Sequence, residues 1–514
     1  MRFHGEARDD AYDVIVVGSG IGGLTSASLL ASQGKKVLVV ERHDRPGGYA
    51  HGFRRRGTQF DSAVHLVGGC GAGPYDGSGL IRRLLEGVGA DDRCKFERVD
   101  PFYSAIFPGF RLDVPSGTEA FIDAHVARFP AEEQGFRDLM SVCRRISAET
   151  RLTPDRALPR GFGRPSHEVP LLVKYHRATL AEVMDEHLSD PRAKAVFGTL
   201  WPYLGLPPSR VSFLYWAMML DSYIEDGAYY CSGGFQNFAT ALADSIESFG
   251  GELLYKSPVR RIRVESGKAC GVVLENGQRI AAEAVISNAD ANQTFGELVG
   301  REHVPRRLAV SLRKMKASLS AFVVYGVTTC DLRATGAAHE MFIYKGWDHD
   351  QDYANLQEGR ISRIGLTVPS LVDASVARDA ESLFTITVLL PYDLSHSWRD
   401  EKDFYVDLLL SEADSAMPGL RDGLRFAEGG TPRTMERYTR NHAGSIYGWD
   451  VSPSQIGPMR LAQRSPIDGL LLAGHWTAPG GGIYGVCQSG VTAAQTVLGY
   501  KREADLWSAV GFGR

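Results

Sequence analysis

The chain has 514 residues, a formal net charge of −4 at pH 7, 44% hydrophobic residues and 23% charged residues. These values predict a soluble globular protein of two domains and give no electrostatic reason to expect nucleic acid as a partner. Its seven cysteines show no CxxC spacing, which favours reduced thiols and argues against a zinc site, so we expect no metal.

The N-terminal segment MRFHGEARDD is polar and lacks the apolar core of a signal peptide. The longest apolar run, VSFLYWAMML from Val211, stops at Asp221 and is shorter than the roughly 18 residues of a membrane-spanning helix. We therefore expect a cytoplasmic protein that is at most peripheral on the inner face of a membrane.

The stretch Val14–Glu41 reads VIVVGSGIGGLTSASLLASQGKKVLVVE and predicts a strand, a glycine turn, a helix and a second strand. Its glycines follow the GxGxxG spacing. In that motif Gly18 makes the tight turn, Gly20 lets backbone N–H groups approach a pyrophosphate, and Gly23 lets helix and strand pack closely. Glu41 lies roughly 20 residues downstream, where a carboxylate binds ribose hydroxyls. The stretch predicts dinucleotide binding.

The segment after Glu41 decides which dinucleotide is expected. A Gly47-Gly48 pair and an extended, basic, aromatic stretch follow, where a nicotinamide dehydrogenase would normally enter its next helix. Such a chain can run along the whole cofactor toward its redox ring, and the pattern resembles flavoproteins of the amine oxidase and carotenoid desaturase group. Arg42 and Arg45 could neutralise the pyrophosphate.

The middle of the chain has three recognisable parts. Residues from about Leu80 to Tyr230 are mostly helical in pattern. A helix between Gly233-Gly234 and Gly250-Gly251 then leads into strands around an Asn276-Gly277 hairpin turn, where backbone near Val259 could lie against adenine. From residue 302 to 425, β-rich runs alternate with helical ones and predict a sheet with helices behind it.

The segment from Pro466 reads PIDGLLLAGHWTAPGGGIYGVCQSG and predicts a third cofactor-binding piece. A buried strand over Leu470–Ala473 ends at Gly474, and the Gly480–Gly482 turn leads into a helix that starts near Val486. The positive end of that helix dipole would stabilise a reduced, anionic flavin ring.

Together, GSGIGGL…VERHDRPGGYAHGF…FD, YYCSGG…SNAD and LAGHWTAPGGGIYGVCQSG resemble the phytoene desaturase, carotenoid isomerase and retinol saturase family of FAD enzymes. The resemblance implies noncovalent FAD and a long apolar substrate in a tunnel. It implies an α/β fold, a Rossmann-type FAD-binding domain with amine-oxidase-like topology interleaved with an α+β substrate domain. The predicted cofactor contacts are Gly18, Gly20, Ile21, Gly22, Gly23, Glu41, Arg42, Gly47, Gly48, His51, Val259, Gly474, His475, Gly480, Gly481, Gly482 and Ile483.

We assign residues 1–78, 228–300 and 426–514 to the FAD-binding domain and residues 79–227 and 301–425 to the substrate domain. Two positions depart from the family pattern. His475 stands where the family often has Asp, and His65 stands where carotene desaturases tend to have a small residue. A histidine there is more similar to retinol saturase, which weakens a literal assignment to phytoene desaturation.

Candidate catalytic residues follow from the need to move a proton while a hydride is exchanged with flavin. His65 is the strongest candidate, because its segment should pass the flavin and imidazole titrates near neutral pH. Glu225 could act as acid or base, and so could its neighbour Asp226. Tyr484 could line the substrate channel.

The sequence therefore predicts an FAD-dependent oxidoreductase that desaturates, saturates or isomerises carbon–carbon bonds of a polyene or isoprenoid-like lipid. An amine or amino-acid oxidase on the same fold stays open. That alternative would need a lysine near the flavin, and Lys314 and Lys316 are candidates that the sequence does not place. A noncatalytic FAD-binding lipid carrier is the third hypothesis. The oligomeric state stays open.

Overall fold

The computed structural model describes residues 5–71, 79–151, 168–395 and 397–512. The strands are β1 (Ala11–Val17), β2 (Val37–Val40), β3 (Gly52–Arg55), β4 (Thr58–Asp61), β5 (Phe96–Arg98), β6 (Tyr103–Phe107), β7 (Phe110–Val114), β8 (Tyr229–Cys231), β9 (Glu252–Leu254), β10 (Val259–Glu265), β11 (Lys268–Leu274), β12 (Arg279–Ser287), β13 (Ser320–Thr328), β14 (Glu340–Tyr344), β15 (Arg363–Thr367), β16 (Ser382–Leu390), β17 (Leu424–Gly430) and β18 (Leu470–Leu472). The α-helices are α1 (Ile21–Ser32), α2 (Leu80–Gly87), α3 (Thr118–Val126), α4 (Glu133–Arg151), α5 (Pro170–Tyr175), α6 (Leu180–His187), α7 (Pro191–Phe197), α8 (Phe213–Asp226), α9 (Phe235–Ser248), α10 (Ala291–Gln293), α11 (Arg306–Lys314), α12 (His349–Gln357), α13 (Trp398–Ala416), α14 (Pro432–Thr439), α15 (Ile483–Leu498) and α16 (Glu503–Ala509).

The first sheet carries the predicted dinucleotide motif. Its order is β10-β11-β12-β1-β2-β9, and β18 also pairs with β12. Strands β9, β2, β1, β12 and β18 run parallel, and every side chain of β2 is buried, as expected for a parallel strand that is covered on both faces. The carboxyl ends of β1, β2, β12 and β18 therefore meet at one edge of the sheet, which is where ligands bind in folds of this kind.

The second sheet has the order β17-β13-β16-β15-β14-β6-β7 and is antiparallel except where β14 pairs with β6. Alternate residues of β13 point to opposite faces. Phe322 packs against Trp398 and Tyr405 of α13, whereas Ala321 and Val323 line a cavity on the other face. One face of this sheet therefore packs on a helix and the other faces the interior between the two sheets.

The fold class is α/β, as predicted, and two local predictions need correction. The stretch from about Leu80 to Tyr230 is mostly helical where it is described, as predicted, but β6 and β7 within it form a hairpin that extends the second sheet. The last helix of the predicted third cofactor piece begins at Ile483, three residues before the predicted start near Val486.

The assignment of ranges to domains stays a prediction. Strand β17 continues past residue 425 while it pairs with β13, so the second sheet extends beyond the predicted boundary there. The predicted ranges also include residues 1–4, 72–78, 152–167, 396 and 513–514, which lie outside the described residues. Within the described part of the chain, no helix is both long enough and apolar enough to cross a membrane.

Candidate functional site

A cavity of about 870 Å³ extends from the glycine turn after β1 to the inner face of the second sheet. All predicted cofactor-binding and catalytic residues line it except Gly23, Gly480, Glu225 and Asp226. Its volume lies within the range of about 300–1,000 Å³ that is usual for ligand sites. The cavity therefore joins the predicted cofactor segments to the region expected to hold substrate.

The first turn of α1 lies in close contact with the turn at Gly18 and with the segment at Gly474, which leaves room only for glycine at two positions. A Cβ on Gly22 would lie 2.8 Å from the backbone N of Gly474, and a Cβ on Gly23 would lie 2.3 Å from the O of Gly18. Gly20 is the N-cap of α1 and has no side chain to occupy the free N–H groups. The positive end of α1 thus stays open to a phosphate.

Asn288, directly after β12, completes this glycine cradle and was not singled out from the sequence. Its side chain lies beside the cradle, and a Cβ on Gly22 or Gly474 would approach its Oδ1 to 2.9 or 2.7 Å. That Oδ1 is buried and has no hydrogen-bond partner. A buried amide oxygen without a partner is unfavourable unless a ligand group donates to it.

Glu41 directly follows β2 and holds the glycine turn through hydrogen bonds. Its Oε2 accepts hydrogen bonds from the N–H and the hydroxyl of Ser19, and its Oε1 accepts one from the N–H of His43. An ionised carboxylate can accept about four hydrogen bonds, so Glu41 retains capacity for a ligand hydroxyl. Arg42 instead donates to the carbonyl oxygens of Arg437 and Tyr438 in α14.

The Gly47-Gly48 pair runs beside the glycine turn, because Gly47 N–H donates to the Ser19 carbonyl at 2.8 Å. His51 follows, and its Nδ1 lies 2.6 Å from the Gly48 carbonyl oxygen. Burial lowers the pKa of His51 to about 4, so its imidazole is neutral near pH 7. Val259, the first residue of β10, also lines the cavity.

The segment after β18 forms the other wall. Gly474 N–H donates to Ser489 Oγ of α15 at 2.7 Å, and His475 Nε2 lies 3.2 Å from Asn441 Oδ1. Burial, with a contribution from the charge of Arg460, lowers the pKa of His475 to about 3. Gly482 is the N-cap of α15, and Ile483 is its first residue. A second helix N-terminus therefore opens on the cavity, beside the neutral imidazole of His475.

Arg460 holds this wall in shape. It is buried, and among the described residues its guanidinium donates to six backbone carbonyl oxygens, those of Tyr447, Trp449, Asp450, Gln455, His475 and Thr477. Tyr447, whose loop Arg460 fixes, packs its Cβ against Gly481, and the Tyr215 hydroxyl donates to the Gly481 carbonyl at 3.1 Å. Both tyrosines line the cavity.

The floor of the far end is the inner face of the second sheet. Its residues come from four adjacent strands and alternate with residues that point away, and they are Ala321, Val323, Glu340, Phe342, Arg363, Gly365, Thr367, Thr387 and Leu389. Leu66, Leu204, Met218 and Met219 also line the cavity. Most of this end is therefore apolar, with Glu340 and Arg363 as its charged floor residues.

His65 and Glu340 form an ion pair at this end, with 3.1 Å between His65 Nε2 and Glu340 Oε2. His65 Nδ1 lies 3.0 Å from the Ala63 carbonyl oxygen, and Thr367 Oγ1 donates to Glu340 Oε2. Both ring nitrogens thus face acceptors. Burial alone would lower the pKa of His65, but the charge and hydrogen bond of Glu340 outweigh it and raise that pKa above its usual value.

Glu225 is a correction to the predicted site. It lies outside the cavity, at the end of α8, where it pairs with Arg144 Nε at 3.3 Å and accepts a hydrogen bond from Thr118. Asp226 also lies outside the cavity lining and accepts a hydrogen bond from the Gly69 N–H. Glu225 thus links α8 to α3 and α4, and Asp226 links the end of α8 to the loop at Gly69. Neither position supports a catalytic role.

Tyr484 lines the cavity and is 40% exposed, so it lies near the opening rather than at the floor.

Gly23 does not line the cavity, and its contact with Gly18 makes it a packing residue. In the described part of the chain, no cluster of three or more His, Cys, Asp or Glu side chains could hold a metal ion.

This geometry defines a protein that binds a dinucleotide through backbone groups and places it next to a largely apolar space. The family model described as flavin containing amine oxidoreductase matches residues 21–498. The chain belongs to this family. A flavin in a dinucleotide cradle is FAD, and the cofactor of this protein is FAD.

Curated relatives match almost the whole chain. Prolycopene isomerase 2, chloroplastic, of an Oncidium hybrid cultivar is 28% identical, and the match covers 97% of this chain and 86% of that protein. All-trans-retinol 13,14-reductase of Rattus norvegicus is 26% identical, with 96% of this chain and 87% of that protein covered.

Solved structures share the fold at lower identity. An oxidoreductase from Methanosarcina mazei has a TM-score of 0.62 at 17% identity, covering 93% of this chain and 99% of that one. Putrescine oxidase bound to putrescine has a TM-score of 0.64 at 16% identity, covering 95% and 99%. These likenesses establish the amine-oxidase-like fold.

Proposed function

We propose that the protein uses FAD to desaturate, saturate or isomerise carbon–carbon bonds of a long apolar polyene or isoprenoid-like substrate. The observation that carries this proposal is the apolar space that continues the cofactor cradle within the same cavity. The names of the relatives support it, since both prolycopene and retinol are polyenes.

The lining suits a chain without polar groups along its middle. Phe342, Leu389 and Val323 cover the floor, and Met218 and Met219 face them from α8. Methionine side chains are flexible and polarisable, so they adapt to a long ligand. Burial of such a chain is favoured by roughly 25 cal/mol for each Å² of apolar surface removed from water.

The amine-oxidase alternative finds less support. Neither Lys314 nor Lys316 lines the cavity, and its described lining contains no lysine at all. Lys314 is the last residue of α11, and the backbone of Lys316 is bonded to Gln455 outside the cavity. The lysine that this hypothesis needs is therefore missing from the described lining.

We assign the gain or loss of the substrate proton to His65, with Glu340 as its partner. Bound FAD supplies the group that accepts or returns a hydride. The two acceptors around His65 favour the protonated form of its imidazole, and Glu340, which is 2% exposed, compensates that charge away from bulk water. The pair can thus hold a proton beside an apolar chain, where water would not supply one.

We further propose that FAD is bound noncovalently, because the cradle contacts are backbone groups and glycines. Acid precipitation should release the flavin into the supernatant. Cytoplasmic location and peripheral membrane contact stay predictions.

The function is tested by anaerobic mixing of the FAD-loaded protein with two sets of compounds. One set contains polyenes and isoprenoid lipids, and the other contains small amines and α-amino acids. We expect the first set to change the flavin absorbance, or to be isomerised by the reduced protein, and the second set to do neither. Flavin reduction by amines with peroxide formation in air would establish the oxidase instead. Binding of polyenes without any chemistry would establish the carrier.

A further inference from the structure

Arg363, the first residue of β15, is a buried cation that lacks a counter-charge. It is 2% exposed and lines the cavity, yet its Nε and Nη1 have no hydrogen-bond partner. No ion pair between described residues includes it. An isolated buried charge is strongly unfavourable in an apolar environment. A group that is absent from the chain itself would therefore complete this site.

Aromatic side chains contact Arg363, and no described carboxylate lies within 4.0 Å of its guanidinium. Its Cζ lies 5.1 Å from the centroid of the Trp201 ring, and the Tyr344 hydroxyl is within its reach. That hydroxyl donates to the Thr199 carbonyl, so its oxygen can accept a hydrogen bond from the guanidinium, but it carries no charge to compensate it. The buried carboxylate of Asp352 is turned toward His349 Nδ1, at 3.9 Å. The aromatic groups position the guanidinium but do not neutralise it.

Arg363 and Glu340 occupy opposite ends of one face of the floor. In the strand register, Arg363 is opposite Tyr344 and Thr367 is opposite Glu340, with Gly365 and Phe342 between them. The four steps along β15 from Arg363 to Thr367 span about 13 Å at roughly 3.3 Å per residue. The floor therefore has an unpaired cation at one end, the His65–Glu340 pair at the other end and an apolar surface between them.

We propose that Arg363 binds the carboxylate of an otherwise apolar chain and thereby fixes which carbon–carbon bond lies beside His65. This inference rests on the proposed function for the apolar chain. A monoanion compensates the single charge of the guanidinium, whereas a neutral hydroxyl would leave it uncompensated. A charged hydrogen bond of this kind also has a strong directional preference. The substrate class is then a long-chain polyene or isoprenoid carboxylic acid.

The test compares retinoic acid with retinol, which share one polyene chain and differ in the terminal group. Each is titrated into the FAD-loaded protein, and binding is followed by quenching of tryptophan fluorescence. We expect retinoic acid to bind the wild type about 10- to 100-fold more tightly, the usual value of a hydrogen bond to a charged group. Arg363→Met should lose this preference while it still binds retinol, and Arg363→Lys should keep part of it.

Arg210→Gln is the matched control, because it removes the same charge from an exposed arginine that stacks on Tyr353 outside the cavity. It should keep the preference of the wild type. An equal preference in Arg363→Met and the wild type would overturn the proposal. Failure of Arg363→Met to fold with FAD, while Arg363→Lys folds, would also overturn it, because the guanidinium would then be a structural group.

Three results separate this inference from the proposed function. If retinol and retinoic acid bind the wild type equally, only the carboxylate site is wrong. If neither retinol nor retinoic acid binds, the proposal of an apolar substrate is wrong, and so is the carboxylate site that depends on it. If small α-amino acids reduce the FAD of the wild type but not that of Arg363→Met, the carboxylate site is correct and the apolar chain is wrong.

Discussion

The two ends of the cavity are built in different ways. The cofactor end consists of backbone and glycines from turns after β1, β2 and β18, and each turn lies within a short, continuous segment. The substrate end consists of single side chains from β13, β14, β15 and β16, which come together only through strand pairing. Cofactor binding is thus a property of local segments, whereas substrate choice depends on the register of a sheet.

The largest effect is expected at the cofactor end, from Gly22→Val. A Cβ there would lie 2.8 Å from the backbone N of Gly474, so α1 and the segment after β18 could not keep their present distance. Both segments line the cradle. The purified protein should therefore contain no FAD and show no turnover, as measured by the ratio of flavin to protein absorbance.

Gly346→Ala is the control for this change, because a Cβ at Gly346 has no neighbour within 4 Å and no strained backbone angle. It should keep its FAD. If Gly22→Val also kept its FAD with unchanged affinity, the close approach of these two segments would not matter for cofactor binding.

A smaller effect is expected at the substrate end, from His65→Gln. Glutamine can still donate a hydrogen bond to Glu340, so FAD content and folding should stay as in the wild type. It cannot carry a proton, and the rate of flavin reduction or product formation should fall by roughly 10²–10⁴-fold, the usual contribution of positioned proton transfer. Rapid-mixing kinetics measure this rate, and a change of only a few-fold would mean that His65 is structural.

The same pair predicts a pH dependence. Glu340 raises the pKa of His65, so a step that needs imidazolium is fast at low pH and slows as the pH rises through that raised pKa. In Glu340→Gln the largest influence that raises the pKa of His65, the charge of Glu340, is lost, so the fall in rate should move to lower pH. If the rate of Glu340→Gln fell at the same pH as that of the wild type, the titrating group would not be His65.

The smallest effect is expected away from both ends, from Glu225→Gln. Its carboxylate pairs with Arg144 and lies outside the cavity. Turnover should be unchanged, and thermal unfolding should report a loss of at most about 1 kcal/mol, the range of partly exposed ion pairs. A fall in turnover comparable to that of His65→Gln would restore Glu225 as a catalytic residue.

The sequence was sufficient for most of the cofactor end. Gly18, Gly20, Glu41, Val259 and Gly474 all line the cavity, because each belongs to a turn or strand end that a short sequence pattern encodes. Asn288 was missed as an individual residue, although its SNAD segment was part of the family resemblance. The signal that could have found it is its position directly after a strand that is parallel to β1.

Most residues of the substrate end could not be predicted from the sequence. Glu340 and Arg363 begin two ordinary β-rich runs, and only the pairing of β14 with β15 shows that both face the cavity. The hairpin of β6 and β7 was missed for a similar reason, since each strand is only five residues long and β6 pairs with β14, a strand more than 200 residues away. His65 was found because it follows the cofactor segment directly.

The most direct test of the account is the identity of the apolar molecule that copurifies with the FAD-loaded protein. Organic extraction followed by mass analysis would be carried out on the wild type and on the Gly22→Val protein, which is expected to lack FAD. We predict that the wild type yields a polyene or isoprenoid chain, in line with the apolar floor of the cavity. Recovery of a small polar amine instead, together with flavin reduction by that amine, would contradict the account.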